Sequence, residues 1–189
     1  PMPGEISLSH LGVLFLDELP EFSRSVLEVL RQPMEDQTVS ITRAMGKVQY
    51  PASFLLLASA NPCPCGYYNH PFKECSCGER LIGKYRARIS GPILDRIDLH
   101  VWVDPVEVNK LTKQDESGEE RGESSASIRE RVVAARARQQ VRFKNNKGMY
   151  TNAQMGNKQV KQFCKLSEEV RSFLVSASAK YNLSARAYF

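Results

Sequence analysis

Nowhere does this 189-residue chain approach the roughly 20 consecutive apolar residues that a membrane helix needs, so no such span is expected. The opening, PMPGEISLSH, has neither a basic head nor an apolar stretch and does not read as a secretion signal. A cytoplasmic location is therefore expected, and its five cysteines are not expected to form a disulfide framework. There is no internal repeat. There is also no G-x-x-x-x-G-K-[ST] loop: the Gly-Lys pair in MGKVQ has no glycine loop before it and no Ser or Thr after it. A backbone cradle and lysine for nucleotide phosphates are thus missing from these residues.

What is present fits a globular protein: 42% hydrophobic and 25% charged residues. The length suits one ordinary domain, or one and a piece. Beginning on Pro and ending on SARAYF, the chain reads as a cut fragment. Its net charge of +5 is unevenly placed. Residues 1–124 carry 13 Lys/Arg against 18 Asp/Glu, whereas residues 125–189 carry 13 against 3. The asymmetry predicts two units, the second basic; its charges are either a solvated helical face or a nucleic-acid footprint.

GVLFL (residues 12–16) is too short for a helix and continuous rather than alternating, which predicts a strand buried on both faces of a parallel sheet. A helix should follow from Ser23, its N-cap, and end at Pro33. TVSITRAMGKVQY alternates on either side of residues 44–46 and predicts a β-hairpin. SFLLLASAN gives a second buried-type strand, ERLIGKYRARIS a helix, and DLHVWV (residues 98–103) a third strand. This succession is the grammar of an α/β sheet covered by helices. Residues 112–126, polar until Ala126, read as a linker. Ser127 and Glu130 form a capping-box pattern opening a long helix, and another helix spans about 167–181.

The GVLFLDELPEF stretch ends its apolar run on adjacent carboxylates, Asp17 and Glu18. Burying either one unpaired is costly, so they belong at a strand end. They either simply reach solvent there or frame a cation and a polarised water. Ligands of open parallel sheets bind beyond the carboxyl ends of the strands, where Asn61 also falls. Nucleotide chemistry uses these residue types: one carboxylate toward Mg²⁺, another polarising the attacking water, an amide on the γ-phosphate. A strand-end turn before Pro62 is the plainer role for Asn61.

Cys63, Cys65, Cys75 and Cys77 form two C-x-C pairs separated by nine residues. Four thiolates can close a tetrahedral Zn²⁺ site, although one residue within each pair is tighter spacing than the usual two to four. Gly66 and Gly78, one after each pair, ease the turns. Disulfides and free structural thiols are the competing readings. His70 reads first as a loop-surface residue and second as a stand-in ligand, and Cys164 reads as a buried small side chain.

Several of these segments match one family. GVLFLDE resembles the Walker B motif of AAA+ ATPases, LLLASANPCPCG is similar to a sensor-1 strand, and GPILDRIDLHV resembles the arginine-finger segment of the magnesium-chelatase and replicative-helicase branch. With GEISLSHLGVLFLDELPEF and the terminal LSARAYF, nearly the whole chain is similar to the magnesium-chelatase-like ComM family. The resemblance implies the C-terminal part of a P-loop αβα sandwich, its parallel sheet carrying a β-hairpin insertion, followed by an α-helical lid. Residues 1–111 would be the second half of the core, 112–126 the linker and 127–189 a truncated helical domain.

The same resemblance implies ATP and Mg²⁺ as cofactors. Asp17 becomes the Mg²⁺-side acid, Glu18 the water-activating group, Asn61 sensor 1, Arg96 the finger reaching a neighbouring subunit and Arg186 sensor 2. Arg88 is a second candidate for the trans-acting arginine, and a local ion pair with Asp98 is the plain alternative for Arg96. The hairpin resembles a pre-sensor-1 hairpin, with Arg43 and Lys47 toward DNA. The family keeps its phosphate loop upstream, so these residues alone are not expected to hydrolyse ATP. The implied whole is a hexameric DNA motor promoting branch migration in recombination and transformation. The alternatives are a magnesium-chelatase motor acting with partner subunits on a porphyrin, and a non-catalytic scaffold.

Overall fold

The computed structural model describes residues 2–43, 46–105 and 123–184. Arg186 and residues 106–122, which contain most of the expected linker, lie outside them. The chain divides into two compact units, Pro1–Pro105 and Val106–Phe189.

In the first unit, helix α1 (Glu5–Leu8) leads into strand β1 (Val13–Leu16), a 3-10 turn (Leu19–Glu21) and helices α2 (Arg24–Val29) and α3 (Arg31–Asp36). Strands β2 (Thr38–Arg43) and β3 (Gly46–Pro51) form the expected antiparallel hairpin, with Thr42 opposite Lys47. Strand β4 (Leu55–Ala58) returns parallel to β1, pairing Leu14 with Leu56 and Leu16 with Ala58. Helices α4 (Glu79–Arg86) and α5 (Gly91–Leu94) follow. The core gathers Leu14, Leu19, Leu27, Leu30 and Ile93, with Leu16, Leu56 and Ala58 packed against it. Side chains alternate along a strand, so the inward sets of β1 and β4 meet α2 and α5.

Three expectations are corrected. Among the described residues the sheet is covered on one face only: Val13, Phe15, Leu55 and Leu57 are all more than half exposed. Residues 98–103 form no strand: a strand needs a partner edge to bond to, and these residues pair with none among the described residues. Leu99, Val101, Trp102 and Val103 are exposed instead, while the His100 ring lies against the carbonyls of Ile97 (3.1 Å) and Leu94 (3.3 Å). Pro33 does not end a helix: the break falls at Leu30, and Pro33 sits in the first turn of α3, where an N–H has no intrahelical partner to lose. Ser23 is the N-cap of α2, its Oγ accepting from Val26 N–H at 3.4 Å.

The second unit is helical: α6 (Ser125–Arg142), a 3-10 turn (Asn152–Gln154), α7 (Asn157–Phe163) and α8 (Glu168–Tyr181). The cap of α6 is Ser124, accepting from Ser127 N–H at 3.2 Å, so the expected linker gives way to helix by residue 125. Ser127 lies in the first turn and donates to Glu123, which also grips Arg131 at 2.5 Å. Ser167 caps α8, and the helix fills the expected span. Phe143, 2% exposed, packs edge-on against Phe163 at 5.5 Å and joins the end of α6 to α7. Arg129, Arg131, Arg136, Arg138, Arg142, Lys144 and Lys147 are all exposed. Cys164 is exposed, not buried.

Candidate functional site

The parallel register fixes the rim. Because Leu16 lies opposite Ala58, the residues that leave the two strands, Asp17 and Ser59, emerge side by side. Ser59 then ties the strand ends together at four points. Its N–H donates to Leu16 O (3.0 Å), its carbonyl accepts from Leu19 N–H (2.8 Å), and its Oγ both donates to Asp17 Oδ1 and accepts from Glu18 N–H (3.1 Å). The Glu18 N–H is shared with Asp17 Oδ1, also at 3.1 Å. One carboxylate oxygen of Asp17 is thus doubly committed, while Oδ2 makes no hydrogen bond among the described residues.

Glu18 adopts left-handed backbone angles, φ 51° and ψ 50°. For a residue with a Cβ this costs about 1–2 kcal/mol, sustained here by the bonds that pin Glu18 N–H and Leu19 N–H to Ser59. The reversal turns the chain straight from the strand into the buried Leu19–Pro20 step and leaves the Glu18 side chain exposed. Asn61 is exposed three residues beyond the end of β4, on the same strand-end side as Asp17.

Arg88 supports this turn from below. Its Nη1 donates to Pro20 O (3.0 Å) and Glu21 Oε2 (2.8 Å). The buried Tyr85, one turn earlier, has its phenol pushed up, first by desolvation and then by the Glu21 and Glu18 carboxylates. Arg96 is folded onto its own unit, bonding Glu35 at 2.5 Å and Pro92 O at 2.8 Å, with a side chain 16% exposed and a buried, unpartnered Nε. The pairing with Asp98 considered from sequence is not made; Glu35 takes that place. Lys47 is exposed beside the hairpin turn, and Arg43 stands in register with Gly46.

The four cysteines come together. Sulfur–sulfur distances are 3.4 Å for Cys63–Cys65, 3.6 Å for Cys65–Cys75 and 3.7 Å for Cys63–Cys75, and all four ligand atoms lie within 4.8 Å of one another. An ideal zinc tetrathiolate, with Zn–S near 2.3 Å, has sulfur edges of about 3.8 Å. All the cysteines are free thiols. The Tyr67 backbone N–H, followed by neighbouring thiols, draws Cys65 down to about 5. Cys75 is pushed up to about 12: the Cys77 backbone lowers it, but burial and the Cys65 and Cys63 sulfurs outweigh that. Cys77 is raised by burial first and by the same neighbours. One sulfur readily takes charge, and Cys75 and Cys77 then resist joining it. Such a set gains most from a divalent cation at its centre. His70 accepts from Phe72 N–H through Nδ1 and is not among the clustered ligands.

Sequence reasoning missed Ser59 and Glu21. A polar residue placed by register beside a strand-end carboxylate is the signal for Ser59; Glu21 has none, since its partner Arg88 lies 67 residues away.

Together, fold and rim define a mixed α/β protein with two carboxylates at the end of one parallel strand and an amide three residues past the end of the other, followed by a basic helical unit. Residues 1–111 match the family model described as magnesium chelatase, subunit ChlI, and residues 122–189 match its C-terminal counterpart; the chain belongs to this family. It is 43% identical over 188 residues to the competence protein ComM of Haemophilus influenzae and 42% identical over 188 residues to the uncharacterized protein YifB of Escherichia coli. In both cases all of this chain is covered but only 35% of the relative. A DNA replication licensing factor, mcm-6 of Caenorhabditis briggsae, is 34% identical over 110 residues, covering 58% of this chain and 12% of that protein.

Proposed function

We propose that this chain is part of an AAA+ ATPase that works as a ring-forming, ATP-driven DNA motor. Its α/β unit would then be the second half of the sandwich and its helices the lid. The observation that carries the reading is the register of β1 and β4, with Asp17 and Glu18 leaving one strand end and Asn61 following the other. The residues fit a magnesium–triphosphate guest: Asp17 Oδ2, the Glu18 carboxylate and the Asn61 amide make no hydrogen bonds among the described residues. Mg²⁺, when bound, supplies charge neutralisation across the phosphate oxygens. Asp17 faces that cation, held in one orientation by Ser59. Glu18 orients and polarises the attacking water, and Asn61 donates to a γ-phosphate oxygen.

Arg96 serves a neighbouring subunit's nucleotide, for which it has to leave Glu35 and Pro92 O; Arg186 is the sensor-2 arginine. Arg43 and Lys47 on the hairpin, with the basic residues of α6, attract DNA phosphates without regard to sequence. The cysteine cluster holds structural zinc, its four protein ligands leaving no open position for water. DNA work is favoured over porphyrin metallation and over a scaffold. The relatives matched along the whole chain include one named for competence, and another match is a DNA replication licensing factor. The uncommitted acids on the rim favour a working site over a scaffold.

The test is Glu18→Gln in the intact protein. Loss of DNA-stimulated ATP hydrolysis with nucleotide binding retained supports the reading. Full activity would return the chain to a scaffold role, and stimulation only by porphyrin and a chelatase partner would favour metal insertion.

A further inference from the structure

Beside the cysteine cluster lies a surface that the rim chemistry does not use. Residues 62–78, PCPCGYYNHPFKECSCG, contain no Leu, Ile, Val, Met or Ala, so apart from prolines and cysteines the apolar side chains of this loop are aromatic. Phe72 is 73% exposed and Tyr67 37% exposed. These rings are held in place. His70 stands edge-on to Tyr67 (centroids 5.6 Å, 85°) and to Phe72 (6.2 Å, 72°), while its Nδ1 accepts from Phe72 N–H at 3.1 Å. Tyr67 follows two residues after Cys65, so the run starts at the thiol cluster. Each tyrosine carries a cation: Lys73 Nζ is 4.7 Å from the Tyr67 ring centre and 3.4 Å from its hydroxyl, and the Arg86 guanidinium is 4.7 Å from the Tyr68 ring centre.

We propose that residues 67–73 form a stacking platform for single-stranded DNA, with Phe72 and Tyr67 presenting ring faces to bases and Lys73 meeting the adjoining phosphate. Exposed rings beside cations, in a loop without aliphatic anchors, match the needs of a nucleic-acid strand. They match a protein partner less well, since aliphatic contacts would be expected to share the work. Rigidity adds to the case, because rings already ordered lose little freedom when a base stacks on them. The platform rests on the DNA-motor reading, extending it to a loop to which that reading gives only a structural metal.

The experiment measures anisotropy of fluorescein-labelled oligothymidylate with the intact protein across a salt series. Phe72→Ala is expected to weaken binding about 5- to 150-fold with an unchanged salt slope. Lys73→Ala should weaken it less at high salt and reduce the slope by about 0.7. Phe72→Trp should restore affinity and Phe72→Leu should not; zinc content and DNA-free ATPase, measured on every variant, report folding. If wild type binds and Phe72→Ala binds equally well, the platform is wrong while the DNA motor stands. Should wild type fail to bind DNA at all, both fall. Rescue by Phe72→Leu, or loss of ring assembly with unchanged DNA affinity, identifies a protein contact and overturns the proposal.

Discussion

Replacing Ser59 by Ala removes a single oxygen atom that links both strand ends. Ser59 Oγ donates to Asp17 Oδ1 and accepts from Glu18 N–H, which keeps its second acceptor in Asp17 Oδ1. One hydrogen bond to a charged group is therefore lost outright, and the other is only weakened. A bond to a charged group contributes about 1.5–3 kcal/mol when well formed, but both acids are solvent-exposed and water replaces part of it. The expected loss is about 1 kcal/mol of global stability, within reach of a urea titration. A carboxylate no longer fixed should also take Mg²⁺ less readily. In the intact protein the Mg²⁺ concentration for half-maximal ATPase should rise about fivefold, the equivalent of about 1 kcal/mol. Ser59→Thr, which keeps the hydroxyl, should recover most of it. An unchanged Mg²⁺ requirement in Ser59→Ala, with stability reduced as expected, would refute the positioning argument while leaving the hydrogen bonds as structural ties.

The purified protein should carry one zinc per chain, and Cys63→Ser, at the fully buried member of the set, should abolish that content and lower the melting temperature. Leu27→Ala, at a core position without exposed surface, should cost about 3 kcal/mol in chemical denaturation. Ser124→Ala should cost about 1 kcal/mol and shorten α6, seen as reduced far-ultraviolet ellipticity. Arg88→Ala should cost no more than about 1 kcal/mol in chemical denaturation, because its pair with Glu21 is half-exposed.

The elements legible in sequence were those whose cause is local. Ser23 announces a helix through its own hydroxyl, and the hairpin shows itself through its alternation. The four cysteines are legible because ligand type and clustering survive any register. Misreadings came where a distant partner decides. DLHVWV has the composition of a strand, but composition cannot supply a neighbouring edge. Pro33 was weighed as a helix breaker, which holds only if the helix has not restarted just before it. The capping-box pattern points to Ser127, whereas the cap is Ser124, where Glu123 bonds both Ser127 and Arg131. Asp17 and Glu18 stand out in the sequence as strand-end carboxylates, yet the serine that bonds both does not, because its importance depends on Leu16 lying opposite Ala58 across a 42-residue gap. For Arg96 the sequence offers a motif role or a pair with Asp98, and neither reading contains the Glu35 on α3 that bonds it.

The bare side of the two-stranded sheet carries a practical consequence. Val13, Phe15, Leu55 and Leu57 form an oily patch bordered by strand edges that none of the described residues saturates. Such a surface invites stray chains to zip alongside. Stocks of these 189 residues should stay clear when dilute and turn turbid on concentration, with a mild detergent or a charged residue at Phe15 delaying the haze.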